Sequence, residues 1–412
     1  MTTDQSPARP ILQTIPLVIL AGCLIALINF GPRSIMGFFL TPMSNEFGWD
    51  REVFALAIAI QNLLWGIGQP FAGILADRFG TARVLTGGAA VYAVGLALMA
   101  SSSDPSSLQM TAGVLIGLGV AGSAFLLVMA SFARLLPDNL RTIGFGLATA
   151  AGSLGQFLFA PLGQGFIAAY GWQTTLLILA AVVLVIPVLS FVLRGKPDPV
   201  PVVADKKDQT VREAITEAFR HNSYRLLVSG FFVCGFQVAF ITVHLPPYLG
   251  DIGVPVIYGG YAIGLIGLFN IFGSITSGVL SGHMPRRIIL AGLYLLRSLV
   301  ILIFLLVPVS VTSVLVFSAV IGFLWLSTVP PTQQIVIGMF GTRYVATLFG
   351  FVFFSHQVGS FLGVWLGGRL YDIYGSYDGV WWISVILGVF AAIVHLPINE
   401  GSVNRQPAPA TV

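Results

Sequence analysis

Uncharged apolar segments recur along this chain at a length that only one environment accommodates. Between clusters of charged and turn-forming residues lie twelve such runs: roughly 14–40, 53–76, 83–102, 108–133, 142–170, 173–193, 226–249, 256–280, 288–309, 311–337, 345–368 and 377–397. A helix needs about 20 apolar residues to cross a hydrocarbon core of about 30 Å, and the longer runs imply tilt or extension past the bilayer. A backbone in lipid must satisfy its own hydrogen bonds, so each run is expected to be a helix. Only 9% of the 412 residues are charged and the mean hydropathy is +0.91, too polar-poor to cover a soluble surface. The expected fold is an all-α membrane protein of twelve transmembrane helices in two six-helix halves. The first run is read as a span, since it is too long for a signal peptide and lacks a basic lead and a small-residue cleavage site.

Basic residues set the orientation. Sixteen of the twenty fall on one side: Arg9, Arg78, Arg83, Arg134, Arg141, seven between 194 and 225, Arg286, Arg287, Arg343 and Arg405. The other side holds only Arg51 and Arg369. This predicts cytoplasmic N- and C-termini and accounts for the net charge of +4 without nucleic acid; the short termini and lean loops point to a bacterial cell inner membrane. Residues 196–222 form the long polar loop, a Pro-rich linker followed by an amphipathic stretch from Val211 to Arg220 that reads as a short interfacial helix. The expected divisions are a first half over 1–195, the linker over 196–222 and a second half over 223–412.

The halves echo one another. Leu162-Gly-Gln-Gly-Phe-Ile-Ala-Ala-Tyr-Gly171 matches Leu366-Gly-Gly-Arg-Leu-Tyr-Asp-Ile-Tyr-Gly375, about half a chain later. The loop Gly73-Ile-Leu-Ala-Asp77-Arg78-Phe-Gly80-Thr-Ala-Arg83 has a degraded counterpart at Gly278 to Arg287. Internal repeats of this kind are typical of secondary transporters. The G-x-x-x-D-R-x-G-x-x-R loop between the second and third spans, the twelve spans and the six-plus-six division resemble the major facilitator superfamily. Asp77, Arg78 and Arg83 are candidate gating residues, since charge pairs at a helix end can latch one state. Tyr248, just beyond Pro246-Pro247, is a candidate for the outer gate.

No carboxylate occupies a span interior, but two arginines do: Arg33 in span 1 and Arg297 in span 9. A buried cation is costly unless paired, so an anionic ligand is the natural partner. Arg33 follows Gly31-Pro32, which is expected to interrupt the helix and free backbone groups toward a cavity. Arg297 is read as a second buried charge, held either by a ligand or by helix carbonyls and polar neighbours. Pro32-Arg33-Ser34 resembles the first span of the monocarboxylate transporters, where Pro-Lys-Ser supplies a functional cation. Ile266 to Ser274 resembles their span 8, but Asn270 and Ser274 stand where that family carries an aspartate and an arginine used for substrate binding and proton coupling. The oxalate/formate antiporter branch is similar in architecture and also carries that arginine.

Further candidates to line a substrate cavity are Gln61, Asn62, Gln156, Gln237, His244, Asn270, Ser274, His356 and Gln357, with Gln333, Gln334 and Ser360 beside them. Each amide can equally bridge helices, and His356 can carry a proton or serve as a hydrogen-bonded structural group. Gly117-x-Gly119-x-x-Gly122 has the spacing of a dinucleotide loop but lies within a span, where helix packing explains it. Cys23 and Cys234 are far apart and support neither a disulfide nor a metal site. No Walker, HExxH or G-x-S-x-G context is present, so neither an enzyme nor a cofactor is expected. The expected function is secondary transport of a small organic anion, a monocarboxylate, by proton symport or anion exchange through alternating access in a monomer. The alternative is efflux of amphipathic or aromatic compounds.

Overall fold

The computed structural model describes residues 14–195, 209–341 and 344–403. The Pro-rich start of the linker, Arg9, Arg343 and Arg405 lie outside the described residues. Eleven stretches are long and apolar enough to cross a bilayer: α1 (Ile15–Phe47), α2 (Arg51–Phe79), α3 (Thr81–Met99), α4 (Pro105–Leu135), α5 (Asn139–Leu193), α7 (Asn222–Asp251), α8 (Ile257–Leu280), α9 (Arg286–Leu306), α10 (Val311–Phe340), α11 (Val345–Tyr374) and α12 (Asp378–His395). Between α5 and α7 lies the short helix α6 (Val211–Arg220).

At 55 residues α5 would extend about 80 Å as one rod, far beyond one bilayer. Gly171 breaks it, with φ at 79° and ψ at 167°. Its two arms are spans 5 and 6, so the chain has twelve spans. Gly375, the repeat partner of Gly171, also has a positive φ, of 67°, and ends α11. The match seen in sequence is therefore a repeated stop that only glycine adopts without strain.

Glycines let the helices pack backbone to backbone. Gly119 lies against the backbone of Tyr92 and Gly122 against Gly88, both in α3, while Gly117 lies against Gln61 of α2, so the dinucleotide-like spacing in α4 serves its seams with both helices. Helix α6 starts with a capping box between Thr210 and Glu213, and hydrogen bonds from Thr210 hold the Glu213 carboxyl below its ordinary pKa. Buried Ala214 and Ala218 face the bundle, and Phe219 packs edge-on against Tyr224 and Phe351.

Helices α1, α4 and α10 break inside the membrane, α4 at Ser123–Ala124. In α1 the helix continues through Pro32 to Ser34, and the break follows at Ile35, leading into a tight turn over Met36–Phe39. Pro32 thus occupies the last turn rather than the break itself. The turn brings Gly37 against the Thr242 and Val243 carbonyls of α7, where a Cβ would come within 2.7 Å. Helix α10 ends its first arm at Leu324 and resumes at Val329.

Candidate functional site

Arg33 sits at the end of the first arm of α1, half-buried. Its Nη2 donates to Asn62 Oδ1 of α2 at 2.6 Å, and the guanidinium stacks over the Trp65 ring at 4.2 Å and Phe30 at 5.5 Å. Asn62 is held in turn by its own donation to the Ile58 carbonyl at 2.8 Å. No carboxylate pairs with Arg33 among the described residues. Trp65 meets Phe353 of α11 edge-on, with ring centroids 5.2 Å apart. Phe353 stacks on His356 at 5.8 Å, and His356 Nδ1 lies 3.0 Å from Gln357 Oε1. A continuous set of contacts therefore runs from Arg33 through Asn62 and Trp65 of the first half to His356 and Gln357 of the second. The sequence reading named four of those five; Trp65 was missed, because tryptophan in an apolar span carries no signal of its own.

The other candidates lie elsewhere. Gln61 donates to the Ala112 carbonyl of α4 and Gln237 to the Ser384 carbonyl of α12, each at 2.9 Å, and both bonds stay within one half. Gln156 crosses between halves to the Ile263 carbonyl at 3.1 Å. Asn270 Nδ2 donates to Ser153 Oγ of α5 at 2.8 Å, while its Oδ1 accepts the Leu326 amide at 2.9 Å and the Ser274 hydroxyl at 3.2 Å. Asn270 thus fills an orphan donor in the break of α10 and ties that break to the opposite half. Arg297 fills the acceptor side: its Nε and Nη2 both donate to the Leu324 carbonyl, at 3.0 and 2.7 Å, and its Nη1 approaches Cys234 Sγ at 3.4 Å. A cation at the carbonyl end of a helical arm also meets the favourable end of its dipole. Of the two readings open to Arg297, the helix carbonyl is the partner present.

At the end of the bundle opposite α6, the two halves are joined by a dense polar contact. Arg51 makes a two-pronged bond to Asp251, both contacts at 2.7 Å, lies 3.7 Å over the Tyr371 ring and donates to the Tyr377 hydroxyl at 2.8 Å. Glu52 accepts from Arg369 at 2.8 Å and from the Trp365 indole at 2.9 Å. Asp372, from the second half, accepts the backbone amides of Arg51 and Glu52 at 3.0 and 2.7 Å. It caps the start of α2 in place of Asp50, whose side chain makes no cap bond. Arg51 and Arg369, the two basic residues that stood apart in the sequence, are both in this latch.

His244 belongs behind the latch. Its Nε2 lies 2.8 Å from the Val364 carbonyl, which can only accept, so Nε2 carries the proton and Nδ1 accepts from the Tyr377 hydroxyl at 3.1 Å. Burial pushes the Tyr377 phenol above its ordinary pKa, so it stays a donor. Tyr248 packs beneath, edge-on to Tyr377 and Trp381, within the second half rather than across the boundary. At the other end Asp77 and Arg78 are exposed, with Arg78 over the neighbouring Phe79 ring at 5.2 Å; Arg83 Nη1 reaches the Phe79 carbonyl at 3.5 Å. Hydrogen bonds between the halves run from the latch to Asn270 and Ser153 near the middle of their helices.

The sequence model of the Major Facilitator Superfamily matches residues 22–364. The chain is 26% identical to an uncharacterized MFS-type transporter, YcxA, of Bacillus subtilis, over 88% of this chain and 90% of that one. It is 23% identical to human monocarboxylate transporter 12, over 92% of this chain and 79% of the relative. Its fold matches a bacterial homologue of the human lysosomal transporter Spinster in an inward-facing, unoccupied conformation, with a TM-score of 0.74 at 16% identity over 93% and 97% of the two chains. A D-xylose–proton symporter superposes with a TM-score of 0.72 at 14% identity, over 93% and 98%. The chain belongs to the major facilitator superfamily and is a multi-pass membrane transporter.

Proposed function

We propose that this transporter is a secondary carrier of a small organic anion, a monocarboxylate, moved by proton symport or anion exchange. One observation carries the reading: a guanidinium inside a span has a single hydrogen bond, to a neutral amide, and no carboxylate beside it. A buried cation so arranged is completed by an anion. The monocarboxylate transporters among its relatives support the same class. In this reading the latch closes the periplasmic end, the α6 end faces the cytoplasm, and the halves over 1–195 and 223–412 rock about the Arg33 cluster as a monomer in the inner membrane. A proton, where it is coupled, binds at His356, since no carboxylate occupies a span interior.

The test is uptake of labelled pyruvate and L-lactate into proteoliposomes, with and without an inward proton gradient. Losing the partner of a buried charge costs about 3 kcal/mol, more than a hundredfold. Arg33→Ala should abolish saturable uptake while eluting as a folded monomer in detergent; unchanged kinetics in that variant would overturn the reading. Stimulation by the gradient marks symport, and a requirement for preloaded anion marks exchange. The aromatic faces of Phe30 and Trp65 around the cation, with Phe353 edge-on to Trp65, favour one second reading, efflux of amphipathic compounds. It would be adopted if dye extrusion, rather than acid uptake, depended on Arg33.

A further inference from the structure

Two stripes of side chains face each other across the boundary between the halves. On α2 the stripe is Asn62, Trp65, Gly66 and Gln69; on α11 it is Phe353, His356, Gln357 and Ser360, both at the i, i+3, i+4, i+7 spacing of one helix face. Gly66 allows the approach, since a Cβ there would lie 2.8 Å from Gln357 Cβ. The hydrogen-bonding inventory of these stripes is lopsided. Trp65 Nε1 and Gln357 Nε2 are buried donors without a partner among the described residues; their side chains are 9% and 0% exposed. Arg33 adds a guanidinium with one of its five N–H donors engaged. The acceptors are occupied: Asn62 Oδ1 by Arg33, and Gln357 Oε1 by His356 and the Ser360 hydroxyl. The nearest acceptor without a partner on the stripe, Gln69 Oε1, lies one turn further along, about 6 Å down the axis from Trp65. Buried donors without partners are rare and costly, and in a binding site they select for what completes them.

We propose that Trp65 and Gln357 are ligand donors, one from each half, and that they make the site selective for a monocarboxylate with a second acceptor next to the carboxyl group, a 2-oxo acid above all. The inference rests on the anion reading of Arg33. The carboxylate takes the free N–H groups of Arg33. The carbonyl oxygen at C2, with two lone pairs and no hydrogen, takes the indole N–H and the amide N–H together. A 2-hydroxy acid accepts the same two donors but brings an O–H for which neither of them offers an acceptor. An unsubstituted acid leaves both donors empty. Because the C2 oxygen is shared between α2 and α11, the same contact joins the two halves around the ligand.

The experiment measures competition by pyruvate, L-lactate and propionate for labelled pyruvate counterflow in proteoliposomes, in the wild type, Trp65→Phe, Gln357→Leu and Arg33→Ala. Trp65→Phe keeps one aromatic ring toward Arg33 and Phe353 while removing the N–H together with the second ring of the indole. Wild type should bind pyruvate at least a hundredfold more tightly than propionate, with L-lactate between them. Trp65→Phe and Gln357→Leu should each narrow the pyruvate–propionate gap at least tenfold, by weakening pyruvate alone. A parallel loss for both acids, or an unchanged gap, overturns the donor role while leaving the anion reading intact. Competition by all three acids that survives Arg33→Ala, or no competition in the wild type, overturns both. Thermal unfolding in detergent, without ligand, should move little in Trp65→Phe; a large drop with both acids equally weakened would make Trp65 a packing residue and also overturn the proposal.

Discussion

Arg297 and Arg33 are both cations inside a span, and they differ in how many of their donors are engaged. Three nitrogens of Arg297 have partners, and two of them converge on one backbone carbonyl; Arg33 has one hydrogen bond. Arg297→Ala strands the Leu324 carbonyl in the membrane, a loss of about 1–3 kcal/mol. It should therefore lower the thermal unfolding midpoint in detergent while leaving the KM of the folded carrier for its substrate unchanged. A raised KM with normal stability would move Arg297 into the transport pathway. The sequence could flag both arginines because charge in a span is conspicuous. It could not separate them, because the partner of Arg297 is a carbonyl 27 residues away, and main-chain groups leave no trace in composition. Trp65 was hidden for a related reason: what marks it is a donor without a partner, a property of its surroundings rather than its identity.

Among the helices, the breaks in α1 and α10 show what local sequence can and cannot locate. Gly31-Pro32 announced an interruption, and one is present, shifted to Ile35 because proline is tolerated where the residues around it still pack. The break in α10 is stabilised from other helices: Asn270 takes the Leu326 amide and Ser277 donates to the Ser327 carbonyl at 2.5 Å. Asn270 and Ser274 thus fill a bracing role with neutral groups, where the resembled family carries an aspartate and an arginine. Asn270→Ala leaves the Leu326 amide and Ser153 without their partner and should cost about 1–3 kcal/mol. Asn270→Asp, melted at a pH low enough to keep its buried carboxyl neutral, keeps an acceptor for both Leu326 and Ser274 and should melt above the alanine variant. Calorimetry or intrinsic-fluorescence melting of the two proteins side by side decides it, and an alanine variant as stable as the wild type would remove the brace. Packing glycines were legible as a class, yet which neighbour each one admits depended on the assembled bundle.

Across the whole molecule, the twelve spans, the repeat and the family were all readable, because length and polarity in a bilayer leave few alternatives. The latch was not. Its members lie 200 to more than 300 residues apart, and exposed charges near span ends look alike until the halves meet. Its energetics are modest per contact: about 1 kcal/mol for the cap and up to about 1 kcal/mol for a partly exposed ion pair. Removing both with Arg51→Ala and Asp372→Ala should shift the balance between closed and open latch by roughly tenfold or more. Spin labels at Asn45 and Ile252, both exposed beside the latch, should then report a longer distance population; an unchanged distance distribution would mean that packing below, not the latch, holds this end shut. The cap contributed by Asp372 has one more consequence. The first amides of α2 are protected by a carboxylate that leaves with the other half, so each opening of the latch strips them and exposes them to solvent. Hydrogen–deuterium exchange at Arg51 and Glu52 in the unmodified protein therefore counts openings directly, making the start of one helix a native reporter of the transport cycle.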